Sequence, residues 1–228
     1  MRKAFSVTGT IVAGPVDLTI DKREVVAIVG LSGCGKTTIL KTISGEIPLI
    51  RGAVHLDGHA QKRDWLVKHL ARTLQSFPLL HWLTVEGNLR LAAQIRGLLD
   101  GLDVDRVLSE FSALHLKERY PKNLSGGERC RASLAQAVLA EPKVLLLDEP
   151  FTGLDLHVKE EIAERLFSFA ESHGTSILFV THDLHDACEY ATRVVVLSGQ
   201  LPATINAVVD PRIEGSVALI RKAMLSKG

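Results

Sequence analysis

Cysteine is scarce in this 228-residue chain: only Cys34, Cys130 and Cys188 occur. An odd number with no CxxC spacing argues against a disulfide framework and against a cysteine zinc site. Aromatic residues make up 5%, a poor supply for a surface that holds single-stranded nucleic acid by stacking. Neither sign of charge dominates, with Lys+Arg 27 against Asp+Glu 26 and a formal net charge of +1. No global attraction to nucleic acid or to an anionic membrane surface is therefore built in. Long apolar runs are also missing: none approaches the ~18 residues that span a bilayer, and Met1 to Val7 lack the apolar stretch of a secretory signal. These absences predict a reducing cytoplasmic setting, and any work at a membrane would need another chain to cross it.

What is present is an ordinary globular composition, 46% hydrophobic and 23% charged, at a length that suits one domain with room for an inserted subdomain. Val25–Val29 is continuously apolar and reads as a strand buried on both faces. Ile39, Leu40 and Ile43 follow at helical spacing. Leu89, Ala92, Ile95, Leu98 and Leu99 predict a helix between Asn88 and Leu99. A second helix would start from Asp103 as N-cap and carry Val104, Val107, Leu108, Phe111 and Leu114 inward. Beyond Gly126-Gly127, Leu134, Ala135, Val138 and Leu139 mark a helix ending before Pro142. Val144–Leu147, Ser176–Val180 and Val194–Leu197 read as further apolar strands. Between the first two lies a helix with Val158, Ile162, Leu166 and Phe169 inward, stopping at Gly174. Strands alternating with helices predict an α/β fold with a parallel sheet.

The turn after the first apolar strand is Gly30-Leu31-Ser32-Gly33-Cys34-Gly35-Lys36-Thr37, followed by Thr38. It fits G-x-x-x-x-G-K-[ST] between a strand and a helix, the context in which that pattern cradles phosphate. Glycines let successive amides converge on phosphate oxygens at a helix N-terminus. On this reading Gly30, Ser32, Gly33, Cys34, Gly35, Lys36, Thr37 and Thr38 bind a nucleotide. Lys36 reaches the β and γ phosphates, and the Thr37 hydroxyl ligates Mg²⁺. The N-K-x-D motif of guanine readers is missing. Two adjacent acids, Asp148 and Glu149, emerge at the end of the Val144–Leu147 strand, where ligand sites of such sheets lie. Asp148 suits the Mg²⁺ shell and Glu149 the polarisation of an attacking water. A solvated loop is the plainer account of paired acids, and the neighbouring phosphate loop weighs against it.

Leu124-Ser125-Gly126-Gly127-Glu128 opens a helix about twenty residues before those acids, and here the chain resembles the ATP-binding subunits of ABC transporters. The likeness runs in order through the phosphate loop, Gln75, Leu124–Glu128, Asp148-Glu149, the Thr152-Gly153-Leu154-Asp155 turn and His182 in Val180-Thr181-His182-Asp183. It implies an α/β P-loop NTPase with a RecA-like core, a mainly parallel sheet, an N-terminal antiparallel β region and an inserted helical subdomain. The core would be 1–83 and 141–228, the subdomain about 84–140. It also implies that ATP and Mg²⁺ are bound and ATP hydrolysed, with Glu149 as general base, His182 steadying the water and γ phosphate, and Gln75 linking Mg²⁺ to the transport partner. Ser125, Gly126, Gly127 and Glu128 would reach the ATP of a second subunit, and Asp155 would communicate between sites.

A narrower resemblance, to ATPases of nitrate, sulfonate and taurine importers, rests on Phe77–Val85 and on His182–Ala187 through Val194–Ser198. It implies a homodimer on the cytoplasmic face of the inner membrane, transmembrane permease subunits and an extracytoplasmic solute-binding protein, with no nucleic-acid partner. Phe77 and Trp82 would stand exposed at the groove that receives the permease. Two departures stand out. Glu128 occupies a position usually held by Gln, and Phe5 is the one aromatic upstream of the phosphate loop available to stack on adenine. The alternative is a soluble ABC-type ATPase of nucleic-acid repair or translation. Arg129 and Arg131 near the signature read as a solvated helix face, and Cys34 as a small residue filling a tight loop.

Overall fold

Two sheets organise the chain in the computed structural model, which describes all residues except 1–2, 12–13, 57–58, 62–64, 67–68, 74–78, 200–203 and 226–228. The smaller is antiparallel and mostly N-terminal: β1 (Lys3–Ile11), β2 (Gly14–Pro15), β3 (Leu18–Asp21), β5 (Arg51–Leu56) and β6 (His59–Ala60), with β1 pairing β2, β3 and β5. The larger contains β4 (Val25–Val29), β7 (Leu70–Thr73), β8 (Val144–Asp148), β9 (Ser176–Thr181), β10 (Arg193–Leu197) and β11 (Ile205–Val209). Its order is β11-β10-β4-β9-β8-β7, parallel throughout except for β11. This is the α/β architecture, with a mainly parallel sheet and an antiparallel N-terminal region, that the sequence predicts.

The parallel strands read as unbroken apolar runs because both faces are covered. From β8, Leu145 and Leu147 enter one core with Leu89, Phe111, Leu134 and Leu166, while Val144 and Leu146 enter another with Ile39, Leu40 and Ile43. Successive side chains alternate across a strand, so each run feeds two cores. Each fully buried Leu, Ile or Phe contributes on the order of 1.5–3 kcal/mol.

Seven helices are described: α1 (Lys36–Ile43), α2 (Val85–Arg96), α3 (Val104–Glu110), α4 (Gly126–Val138), α5 (Leu156–His173), α6 (Leu184–Tyr190) and α7 (Ser216–Leu225). Asp103 caps α3 by accepting from the Arg106 amide, and Gly174 ends α5 in the left-handed conformation. The expected stripe of the first central helix is corrected. Helix α2, capped by Thr84 and Gly97, buries Val85, Leu89 and Ala93, at i, i+4 and i+8. Ile95 lies about 200° round the helix from Ala93 and is 78% exposed; Leu98 and Leu99 fall beyond the cap and are exposed. Leu114 is likewise exposed, because α3 stops at Glu110 and a 3₁₀ turn over Leu114–Leu116 buries Leu116 in its place.

Candidate functional site

The phosphate loop joins β4 to α1, and Gly35 at the N-cap of α1 has φ 100°, open to glycine at little cost. Lys36 is buried and donates from Nζ to the carbonyls of Gly30 at 2.8 Å and Leu31 at 3.1 Å, so its ammonium is folded across its own loop. Cys34 is buried and packs in the same core as Ile28 and Ile39, which fits its reading as a loop filler. Thr38 sits in the first turn of α1, its carbonyl accepting from the Thr42 hydroxyl.

Strand β8 delivers the acids. Thr37 Oγ1 donates to Asp148 Oδ1 at 3.0 Å, joining the phosphate loop to the end of β8. Burial pushes the Asp148 carboxyl up from the ordinary range, while the Thr37 hydroxyl and Arg72 pull it back. Arg72 Nη1 lies 3.7 Å from Asp148 Oδ2. Glu149 follows in the left-handed region with φ 50°, a conformation that strains a residue other than glycine. Its amide donates to the Val180 carbonyl at the end of β9. The turn sends its carboxylate to two partners: Thr152 Oγ1 donates to Glu149 Oε2 at 2.8 Å, and His182 Nδ1 lies 2.8 Å from the same oxygen. Lys36, Thr37, Asp148, Glu149 and His182 therefore gather at the ends of β4, β8 and β9.

Sequence reasoning did not give Thr152 this contact. Its signal was the spacing of three residues from Glu149 across a turn that ends in Gly153, at which φ is 79°. Arg72 was missed for the ordinary reason that an arginine in a strand carries no motif. Gln75 and Phe77 lie outside the described residues. Trp82 is 61% exposed, and Phe5 stands on β1 opposite Ile20 and Leu56.

The segment Ser125–Glu128 is built differently. Ser125 caps α4 by accepting from the Glu128 amide at 3.2 Å, and the Ser125 amide donates to Glu128 Oε2 at 2.7 Å, a reciprocal capping box. Glu128 also pairs with Arg119 at 2.9 Å. The Ser125 amide holds its carboxyl below the ordinary glutamate range, with help from the Ser125 hydroxyl and Arg119. Gly127 is required by close approach: a Cβ there would stand 2.6 Å from Val158 Cγ1. Asp155 caps α5 by accepting from the Val158 amide at 3.1 Å, so the starts of α4 and α5 meet at Gly127 and Val158. Arg131 is not the solvated residue expected. Its side chain is 15% exposed and pairs with Glu161 of α5 at 2.7 Å, because that face of α4 packs on α5. Among the described residues no hydrogen bond or ion pair connects Ser125–Glu128 to the phosphate loop.

The family model described as ABC transporter matches residues 13–152. The aliphatic sulfonates import ATP-binding protein SsuB of Bacillus cereus is 35% identical over 96% of this chain and 90% of its own length. The sulfate/thiosulfate import ATP-binding protein CysA 1 of Agrobacterium fabrum is 39% identical over 80% of this chain and 55% of its own. A solved ATP-binding subunit of an ABC transporter superposes with a TM-score of 0.79 at 26% identity, covering 98% of this chain and 95% of its own. The cbiO1 protein of Clostridium perfringens, at 24% identity and a TM-score of 0.83 over 99% of this chain and 96% of its own, shares the fold. Import subunits of this kind do not favour the nucleic-acid alternative.

Proposed function

The chain belongs to the ABC transporter family as an ATP-binding, ATP-hydrolysing subunit, and from that premise we propose that it drives import of a small anionic solute such as a sulfonate, taurine, nitrate or sulfate. The full-length likeness to a sulfonate import subunit supports the solute class. No helix among the described residues is long and apolar enough to cross a membrane, so permease subunits would form the path, with an extracytoplasmic binding protein delivering the solute. The subunit would act at the cytoplasmic face of the inner membrane, docking through the surface that carries the exposed Trp82. Residues 1–83 and 141–228 would serve as the catalytic core and 84–140 as the subdomain that carries the signature.

Two copies would close head to tail, each laying its Ser125–Glu128 end over the phosphate loop of the other. Since the Ser125 amide is engaged by Glu128, the grip on the partner's γ phosphate falls to the Ser125 hydroxyl and the amides of Gly126 and Gly127, at a helix N-terminus that favours anions. Asp155, at the adjoining helix start, is placed to relay between sites.

The hydroxyl and carboxylate of Thr37 and Asp148, already paired at 3.0 Å, are hard oxygen donors that fit Mg²⁺, with Gln75 completing the protein's share. Bound there, the ion neutralises charge on the phosphate oxygens. Lys36 presents its ammonium to the same phosphates from the buried end of the loop. Glu149 takes the proton of the attacking water. With Oε2 fixed by Thr152 and His182, Oε1, which has no hydrogen-bond partner among the described residues, faces that task. The doubly held Glu149 carboxylate beside the Thr37–Asp148 pair is the observation that carries the hydrolytic role. The test is Glu149→Gln, which should retain ATP, accumulate as a dimer and lose turnover; unchanged hydrolysis would remove Glu149 as the base. Uptake of labelled taurine, sulfate or nitrate by the reconstituted transporter decides the solute.

A further inference from the structure

Six buried side-chain nitrogen or oxygen atoms among the described residues have no hydrogen-bond partner, and three of them, Arg72 Nη1, Thr73 Oγ1 and Arg96 Nη1, are on residues that line one cavity. The cavity has a volume of about 220 Å³ and lies between the end of β7 and the facing sides of α2 and α4, with Ser133 and Gln136 also lining it. An orphaned buried donor is destabilising by roughly 1–3 kcal/mol, more when it is charged, so three converging on one space point to something that accepts from all of them. The Arg72 side chain is 7% exposed, and its Nε and Nη2 are occupied by Glu46 at 2.6 and 2.7 Å, which leaves Nη1 as the nitrogen without a hydrogen bond. Thr73 is 3% exposed.

Charge sharpens the argument. Arg72 has Glu46, whereas Arg96 has no carboxylate partner among the described residues, and burial lowers its pKa from the ordinary arginine value. Its place in the last turn of α2 suits a cation, yet the helix end gives Nη1 no acceptor. Water would satisfy the donors and leave Arg96 without a counter-charge. The space is several times the ~30 Å³ share of one liquid water. We propose that this cavity is an anion site, taking a compact oxyanion of the size and shape of sulfate or phosphate between the guanidinium groups of Arg72 and Arg96, with the Thr73 hydroxyl as a third donor. It is separate from the phosphate loop, and its existence does not depend on the transport reading. Because Arg72 Nη1 also stands 3.7 Å from Asp148 Oδ2, a bound anion draws positive field away from that carboxylate and makes Asp148 the better metal ligand.

Calorimetric titration of sodium sulfate into the full chain tests this, with a non-hydrolysable ATP analogue held at saturation so that the phosphate loop, its γ position included, is closed to the probe, and chloride keeping ionic strength constant. One saturable site is expected. Arg96→Gln should weaken it by about tenfold or more, and Thr73→Val by about threefold, the scale of lost hydrogen bonds to a charged group. Arg96 lies at a half-exposed helix end, so Arg96→Gln should keep its sulfate-free ATPase rate, which verifies folding. Absence of saturable heat, or equal affinity in Arg96→Gln, would overturn the site. A second readout rests on the role given to Asp148: sulfate should lower the Mg²⁺ concentration that half-saturates binding of the ATP analogue by about twofold or more in the native chain and not in Arg96→Gln. Sulfate binding with an unmoved Mg²⁺ requirement would keep the site and overturn its link to Asp148.

Discussion

The phosphate loop and the signature segment are both glycine-bearing turns that open a helix, but the chain finishes one and leaves the other open. At the start of α1, Lys36 is buried against Gly30 and Leu31, Thr37 is bonded to Asp148, and Glu149 is held by Thr152 and His182. At the start of α4, Ser125 and Gly126 are exposed, and the bonds of Ser125 and Glu128 stay within their own turn and with Arg119. Both ends share the anion preference of a helix N-terminus. What separates them is company: one has the Lys36 ammonium, the Thr37–Asp148 pair and the doubly held Glu149 carboxylate, and the other has its amides, the Ser125 hydroxyl and the Glu128–Arg119 pair. A reaction site of the proposed kind, assembled from both ends, would work only when they meet, which would make chemistry conditional on association.

The largest effect should come from the finished end. Glu149→Gln is expected to reduce ATP turnover by about 10²–10⁴-fold with nucleotide affinity retained, read by steady-state hydrolysis and nucleotide binding on one preparation. A comparable loss of affinity would mean that Glu149 shapes the cradle instead. At the open end the strain is packing. Gly127→Ala drives a Cβ to 2.6 Å from Val158 Cγ1, and a stiff β-branched neighbour should convert this to about 1–3 kcal/mol of lost stability in denaturant unfolding. Gly126→Ala, which meets nothing within 4 Å, should leave stability near the native value, and Val158→Ala should rescue Gly127→Ala in a double-mutant cycle. Failure of that rescue would place the fault in the backbone.

Returning to the finished end, Thr152→Val removes one of two donors to Glu149 Oε2. Turnover should fall by about threefold to tenfold, the scale of one hydrogen bond, with KM unchanged; a change confined to KM would contradict the positioning role. The smallest effect concerns Glu128. Its carboxyl is held below the ordinary range by the Ser125 amide, the Ser125 hydroxyl and Arg119, so its capping contribution is present above the ordinary glutamate range. That contribution is lost as pH falls through the lowered value. Glu128→Gln can still form the box and should flatten the acid limb of a stability-against-pH curve; an unchanged limb would assign that limb to other carboxylates.

Much of this was legible in the sequence because buried strands and phosphate loops are local patterns. Val25–Val29, Val144–Leu147 and Ser176–Val180 announce themselves as apolar runs, and Asp103 and Gly174 mark helix ends by cap chemistry. Resemblance, and not spacing, singled out Ser125, Asp155 and His182. The rest depends on tertiary neighbours. Ile95 looks like core until the cap at Gly97 fixes which residues face inward. Arg131 looks solvated until Glu161 is placed opposite. No local pattern could show that Thr152 and His182, thirty residues apart, share one carboxylate oxygen, or that Arg72 serves Glu46 and Asp148 at once.

Strand order has its own consequence. The phosphate-loop strand β4 and the acid strand β8 are not neighbours; β9 lies between them and is followed directly by His182. Adjacent strands stand about 4.8 Å apart, so the strands that carry the cradle and the acids are about two strand widths apart, and backbone hydrogen bonds hold that interval while the Thr37–Asp148 bond closes the gap above it. The sheet thus works as a ruler whose graduations no side-chain substitution can move. Point mutations can blunt the groups mounted on it without changing the interval between the strands that carry them.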